Sequence, residues 1–69
     1  MLNKIVAKRI RDYRQEKLVT QSQLARLVGV SQAEISRIEN CSTYITLPDV
    51  EKISKALGVE VEDLLRKTA

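Results

Sequence analysis

A chain of 69 residues, 43% of them apolar, suffices for one domain over residues 1–69 around one core, near the size at which folding alone becomes marginal. One cysteine and no histidine exclude an internal disulfide, a zinc site and histidine-based catalysis, and no apolar run approaches the roughly 20 residues that cross a bilayer. The net charge of +3 is uneven: residues 1–30 carry seven bases against two acids (+5), and residues 31–69 five against seven (−2), which suits a molecule with one face toward a polyanion.

In chain order, the first predicted helix runs from about Leu2 to Lys17. Leu2, Val6, Ile10 and Tyr13 recur at steps of 4, 4 and 3, one face of an α-helix. Lys4, Lys8, Arg11 and Gln15 keep the same period on another face and form a basic stripe. The second helix, about 21–28, opens on Thr20-Gln21-Ser22-Gln23, a hydroxyl followed three residues later by glutamine. In such a capping box the hydroxyl accepts from an orphan backbone N–H, and the later side chain reaches back. Gly29 stands where a left-handed residue ends a helix. Ser31-Gln32-Ala33-Glu34 repeats the start signal for a third helix, about 32–39. Thr46-Leu47-Pro48-Asp49 is a looser version ahead of a fourth helix, about 47–57, with proline in the first turn and Gly58 past the end. A short fifth helix, about 61–66, would bury Leu64 and Leu65, although Glu60 is a weak cap. No segment alternates with β-branched and aromatic residues, so the expected fold is all-α.

The second and third helices carry the functional argument. Burial of Leu24, Ala25 and Val28 on one and of Ile35 and Ile38 on the other leaves only Gly29, Val30 and Ser31 between them. The helices must then cross sharply, which is helix-turn-helix geometry. With Ile35 and Ile38 inside, Gln32, Ala33, Ser36 and Arg37 point outward. Glutamine can bond an adenine edge in two places, arginine a guanine edge, and alanine can meet a thymine methyl. Taken singly, each of these reads better as a merely exposed position on an amphipathic helix; behind a capped three-residue turn they read together as a base-reading surface.

Residues 20–40, TQSQLARLVGVSQAEISRIEN, resemble the signature of the phage repressor/Cro (Xre-like) helix-turn-helix family. The resemblance extends from Ile10 through Leu47 and on to Val50, Ile53, Ala56-Leu57, Val59 and Leu64-Leu65. It implies a five-helix lambda-repressor-like DNA-binding domain with the third helix in the major groove. Matched position by position, it implies base reading by Gln32, Ala33, Ser36 and Arg37. DNA-backbone contacts are implied for Gln21, Arg14, Asn40, Thr43 and Tyr44, with Ser42 in the same loop. Arg14 and Glu39 match a structural ion pair joining the first helix to the end of the third. Three positions depart from the pattern. Leu18 and Cys41 stand where glycine is usual, so either left-handed strain is accepted or the loops take other paths. Ile45 replaces a common proline. Cys41 itself reads as a small, inert, semi-buried residue rather than a redox switch.

The expectation is a sequence-specific regulator of transcription, most simply a repressor, acting as a homodimer on a roughly palindromic double-stranded DNA operator. The apolar Val59, Val61, Leu64 and Leu65 supply either the dimer contact or only the closing of the core. Two other readings stay open: an antitoxin or similar protein-interaction module, and a restriction-modification controller protein. An enzyme is disfavoured, no cofactor or metal is expected, and the chain start lacks a secretory signal, which points to the cytoplasm of a prokaryote or phage host.

Overall fold

Three helix starts in this chain are written in hydroxyl side chains, and the computed structural model, which describes residues 2–66 and only the backbone of residues 2 and 3, places them accordingly. Five helices follow in order: α1 Leu2–Glu16, α2 Gln21–Val28, α3 Gln32–Glu39, α4 Leu47–Leu57 and α5 Val61–Leu65. No strand occurs among the described residues. Thr20 Oγ1 accepts from Gln23 N at 3.0 Å and Gln23 Oε1 accepts from Thr20 N at 2.8 Å, a complete capping box. Thr46 and Asp49 form the same reciprocal pair at 3.3 and 3.4 Å, fuller than the sequence suggested. At α3 only half the expected box forms. Ser31 Oγ accepts from Glu34 N at 3.1 Å, but the Glu34 carboxylate turns to Arg37 instead of reaching back. At α5, Asp63 accepts from the Glu60 backbone N–H at 3.0 Å, which compensates for the weak cap.

Four helices are followed within two residues by one in the left-handed region, with backbone bonds that reach back into the last turn. Glycine fills that position after α2 (Gly29, φ +90°) and after α4 (Gly58, φ +72°). After α1 and α3 it is filled by Leu18 and Cys41, each at φ +59°. The closing bonds are the same kind: Val19 N to Arg14 O at 3.0 Å, and Ser42 N to Arg37 O at 2.8 Å. The loops therefore keep the geometry that glycine would give, and the strain, about 1–2 kcal/mol for each non-glycine residue, is accepted.

The core draws on every helix: Val6, Ala7 and Ile10 from α1, Leu24 and Ala25 from α2, Ile35 and Ile38 from α3, Val50, Ile53 and Leu57 from α4, and Leu64 from α5. Tyr13, Val19, Val28, Val30 and Ile45 pack partly buried against it. The side chain of Leu2, expected on the same face of α1, lies outside the described residues. α1 packs on α3, α4 and α5, while α2 packs on α3 and α4, so α3 is held from behind by α1 and α2. Leu64 is fully enclosed and belongs to the monomer's core, so it cannot form a dimer contact. Val59, Val61 and Leu65 are half-buried against the same core. Among the described residues, the large apolar side chains that face solvent are Leu18, Leu27, Tyr44 and Leu47.

Candidate nucleic-acid interface

The turn between α2 and α3 is three residues long because Gly29 reverses the chain at once. Its N–H and that of Val30 both donate to Ala25 O, at 2.8 and 3.0 Å. Ala25 is buried, and Val30 plugs the turn from the core side. From this support α3 shows a buried edge, Ile35 and Ile38, and an outer edge on which Gln32, Ala33, Arg37 and Asn40 are exposed and Ser36 half-exposed.

Four of these outer side chains, Gln32, Ser36, Arg37 and Asn40, have partners within the protein, two of the bonds lying within α3 and its cap. Arg37 Nη2 lies 2.9 Å from Glu34 Oε1 one turn back, an exposed ion pair of the kind worth about 0–1 kcal/mol. Asn40 Nδ2 donates to Ser36 Oγ at 3.4 Å. Neither bond was legible in the sequence, although an acid three residues before a base on one helix is a recurring pairing.

Behind α3 lies the ion pair that ties it to α1. Arg14 Nε donates to Glu39 Oε2 at 2.6 Å and Nη2 to Oε1 at 3.1 Å, a bidentate fork. The third bond of the guanidinium goes from Nη1 to Val19 O at 2.8 Å. With 11% of the Arg14 side chain and 2% of the Glu39 side chain exposed, this is an interior pair. Losing one partner would strand a buried charge, at about 3–5 kcal/mol. Arg14 is thus turned inward as a structural residue that joins α1 to the end of α3. Gln21, half-buried at the start of α2, donates from Nε2 to Glu39 Oε1 at 3.0 Å. Its Oε1 in turn accepts from Gln32 Nε2 at 2.7 Å. The first outward residue of α3 is therefore bonded back, through one amide, to the interior ion pair.

The loop after α3 carries Ser42 and Tyr44 exposed and Thr43 half-buried. Cys41 is exposed, not semi-buried. A shallow cleft beside it brings Lys4, Lys8 and Arg11 of α1 next to Asn40 and Cys41. The basic stripe was visible as a period in α1, but only the packing of α1 on α3 shows that it adjoins the end of the outward-facing helix. No group of histidine, cysteine, aspartate or glutamate side chains suited to a metal occurs among the described residues.

A capped pair of short helices crossing at a three-residue turn, within five helices around one core, defines a lambda-repressor-like helix-turn-helix fold. The Helix-turn-helix family model HTH_3 matches residues 10–64, and the chain belongs to that family. Over 64 residues it is 38% identical to the HTH-type transcriptional regulator SinR of Bacillus licheniformis, covering 91% of this chain and 58% of that protein. The hypothetical transcription factor NHTF from Neisseria has the same fold at TM-score 0.91 and 33% identity, over 96% of this chain and 76% of that one. The P22 c2 repressor protein, solved in complex with a synthetic operator, matches at TM-score 0.81 and 32% identity over 90% and 94% of the two chains. This chain spans about half the length of the curated relatives it matches.

Proposed function

We propose that this protein is a sequence-specific regulator of transcription that lays α3 in the major groove of double-stranded DNA and represses by occupying its operator. The observation that carries the reading is the division of α3 into a buried Ile35/Ile38 edge and an outer edge of Gln32, Ala33, Ser36 and Arg37. Glutamine suits adenine, arginine guanine, and alanine a thymine methyl, while serine adapts to several partners. Asn40, Thr43, Tyr44 and Gln21 flank this edge where phosphates would run, and Lys4, Lys8 and Arg11 extend the basic surface past Asn40. Contacts to phosphates provide salt-dependent affinity and set register; contacts to base edges provide the choice of sequence.

Binding as a homodimer to a roughly palindromic site follows from the need to pair two such short readers about one DNA turn, roughly 34 Å, apart. The cytoplasm is where such a protein would meet its operator, and no described helix is long and apolar enough to cross a membrane. Selection of bound sequences from random duplex DNA, followed by titration at several salt concentrations, tests the reading. Enrichment of two related half-sites with affinity falling steeply as salt rises is the expected result. No enriched sequence and no salt-sensitive binding would reject it in favour of a protein-interaction module.

A further inference from the structure

We propose that α1 carries a second DNA contact, in which Lys4, Lys8 and Arg11 hold the phosphates of duplex lying beyond the base pairs that α3 reads. Operator affinity then depends on flanking DNA of any sequence. The proposal rests on the placing of α3 in the major groove and adds a surface that meets no base. The cleft between α1 and the end of α3 measures about 520 Å³, with Lys4, Lys8 and Arg11 on one side and Glu39, Asn40 and Cys41 on the other. Glu39 is the only acid that lines it, and its side chain is 2% exposed and already accepts from Arg14 and Gln21. Lys4 and Arg11 are exposed, and no ion pair among the described residues uses them. Lys8 lies 2.8 Å from Asp12, an exposed i,i+4 pair of the weak kind that a phosphate can displace. Three cations one helical turn apart therefore face an opening with no free acid opposite them. Spaced in this way they repel one another until a polyanion covers them.

Position in the fold says which polyanion. Asn40 caps α3, so the opening lies where a sugar–phosphate strand flanking α3 would leave the reading surface. From Lys4 to Arg11 α1 rises by about 10.5 Å. That is the length of about three base steps at roughly 3.4 Å each, so the stripe can follow two or three phosphates. Gln32, Ala33, Ser36 and Arg37 stand on the outer edge of α3 and line no part of the cleft. The α1 contacts consequently carry no sequence information. They set register and the length of duplex that full affinity requires.

The test uses the full chain and the duplex enriched from random DNA. Wild type, Lys4→Gln/Arg11→Gln and Lys52→Gln/Lys55→Gln are titrated from about 50 to 200 mM salt, the range over which phosphate contacts are felt. Lys52 and Lys55 are exposed on α4 and line no part of the cleft, so the second variant removes the same net charge elsewhere. All four positions are exposed and glutamine is a good helix former, so both variants keep the fold, which circular dichroism checks. Each lost phosphate contact lowers the slope of log affinity against log salt by about 0.9. The α1 variant is expected to lose about 1.8 from that slope, so that over the fourfold rise in salt its binding falls about twelvefold less than that of wild type. The α4 variant is expected to keep the wild-type slope. Trimming the duplex to the enriched core should weaken wild type by about tenfold at 100 mM salt and the α1 variant far less. The enriched core itself should be the same for all three proteins. A slope that falls no more in the α1 variant than in the α4 variant, or an equal response of wild type and α1 variant to trimming, overturns the α1 contact and leaves the reading by α3 standing. A wild type with neither an enriched core nor salt-sensitive binding overturns both.

Discussion

Leu18→Gly is expected to make the protein more stable. Leu18 follows α1 at φ +59°, and its side chain is 89% exposed, so replacing it removes almost no packing. The bonds that close the helix, from the backbone N–H groups of Leu18 and Val19, are available to glycine unchanged. Holding an L-residue in this region costs about 1–2 kcal/mol. The greater freedom of glycine in the unfolded chain takes back about 0.5–1 kcal/mol. The net gain is about 0.5–1 kcal/mol, which in a domain of this size raises the melting temperature by roughly 2–8 °C. Thermal and urea unfolding followed by circular dichroism would read it, with Leu18→Ala as the reference because alanine keeps the strain. Should the glycine variant prove no more stable than the alanine variant, the claim that the helix end carries left-handed strain is wrong.

Other substitutions probe the core and the interface. Ile53→Ala opens a hole at a fully enclosed position of α4 and should cost about 2–5 kcal/mol in chemical denaturation. Arg37→Ala should weaken operator binding by about 1–3 kcal/mol and relax the choice at one base pair; an equal loss on random DNA would contradict its assignment to a base edge. Glu34→Gln releases Arg37 from its exposed ion pair and removes a negative charge from the outer edge of α3. Operator affinity should then rise by up to about fivefold, less at high salt, because such a pair is worth about 0–1 kcal/mol and is screened. A fall in affinity would mean that Glu34 holds Arg37 in its reading position.

The boundaries of α2, α3 and α4 were legible because local chemistry writes them. Thr20, Ser31 and Thr46 satisfy backbone donors three residues ahead, and Gly29 and Gly58 accept the left-handed turn without strain. The inward residues Leu24, Ala25, Ile35, Ile38 and Leu64 were likewise readable from the predicted helices, while Val50 and Ile53 entered only through the family resemblance. Where the local signal was weak, the limits moved slightly: α1 stops at Glu16 rather than Lys17, and α5 at Leu65 rather than Arg66. Sequence also set out the two alternatives at Leu18 and Cys41, strain or a different loop, without the means to choose. Packing of α1 and α3 into one core holds both ends in place and accepts the strain.

By itself, then, the sequence determined where helices begin and end and which stripe of each is apolar, because those depend on neighbours within about one turn. Tertiary structure decided which distant polar side chains meet, the pairing of Arg14 with Glu39 having been implied only by the family resemblance. Arg14 finds Glu39 across 25 residues, Gln21 finds the same carboxylate across 18, and Gln32 finds Gln21 across 11. The docking of α1 likewise brought its lysines beside Asn40, and the closing of α5 gave Leu64 to the core rather than to a dimer contact. Such meetings follow from helix crossing and from the demand that every buried polar group be satisfied, a condition of the whole fold that no local window contains.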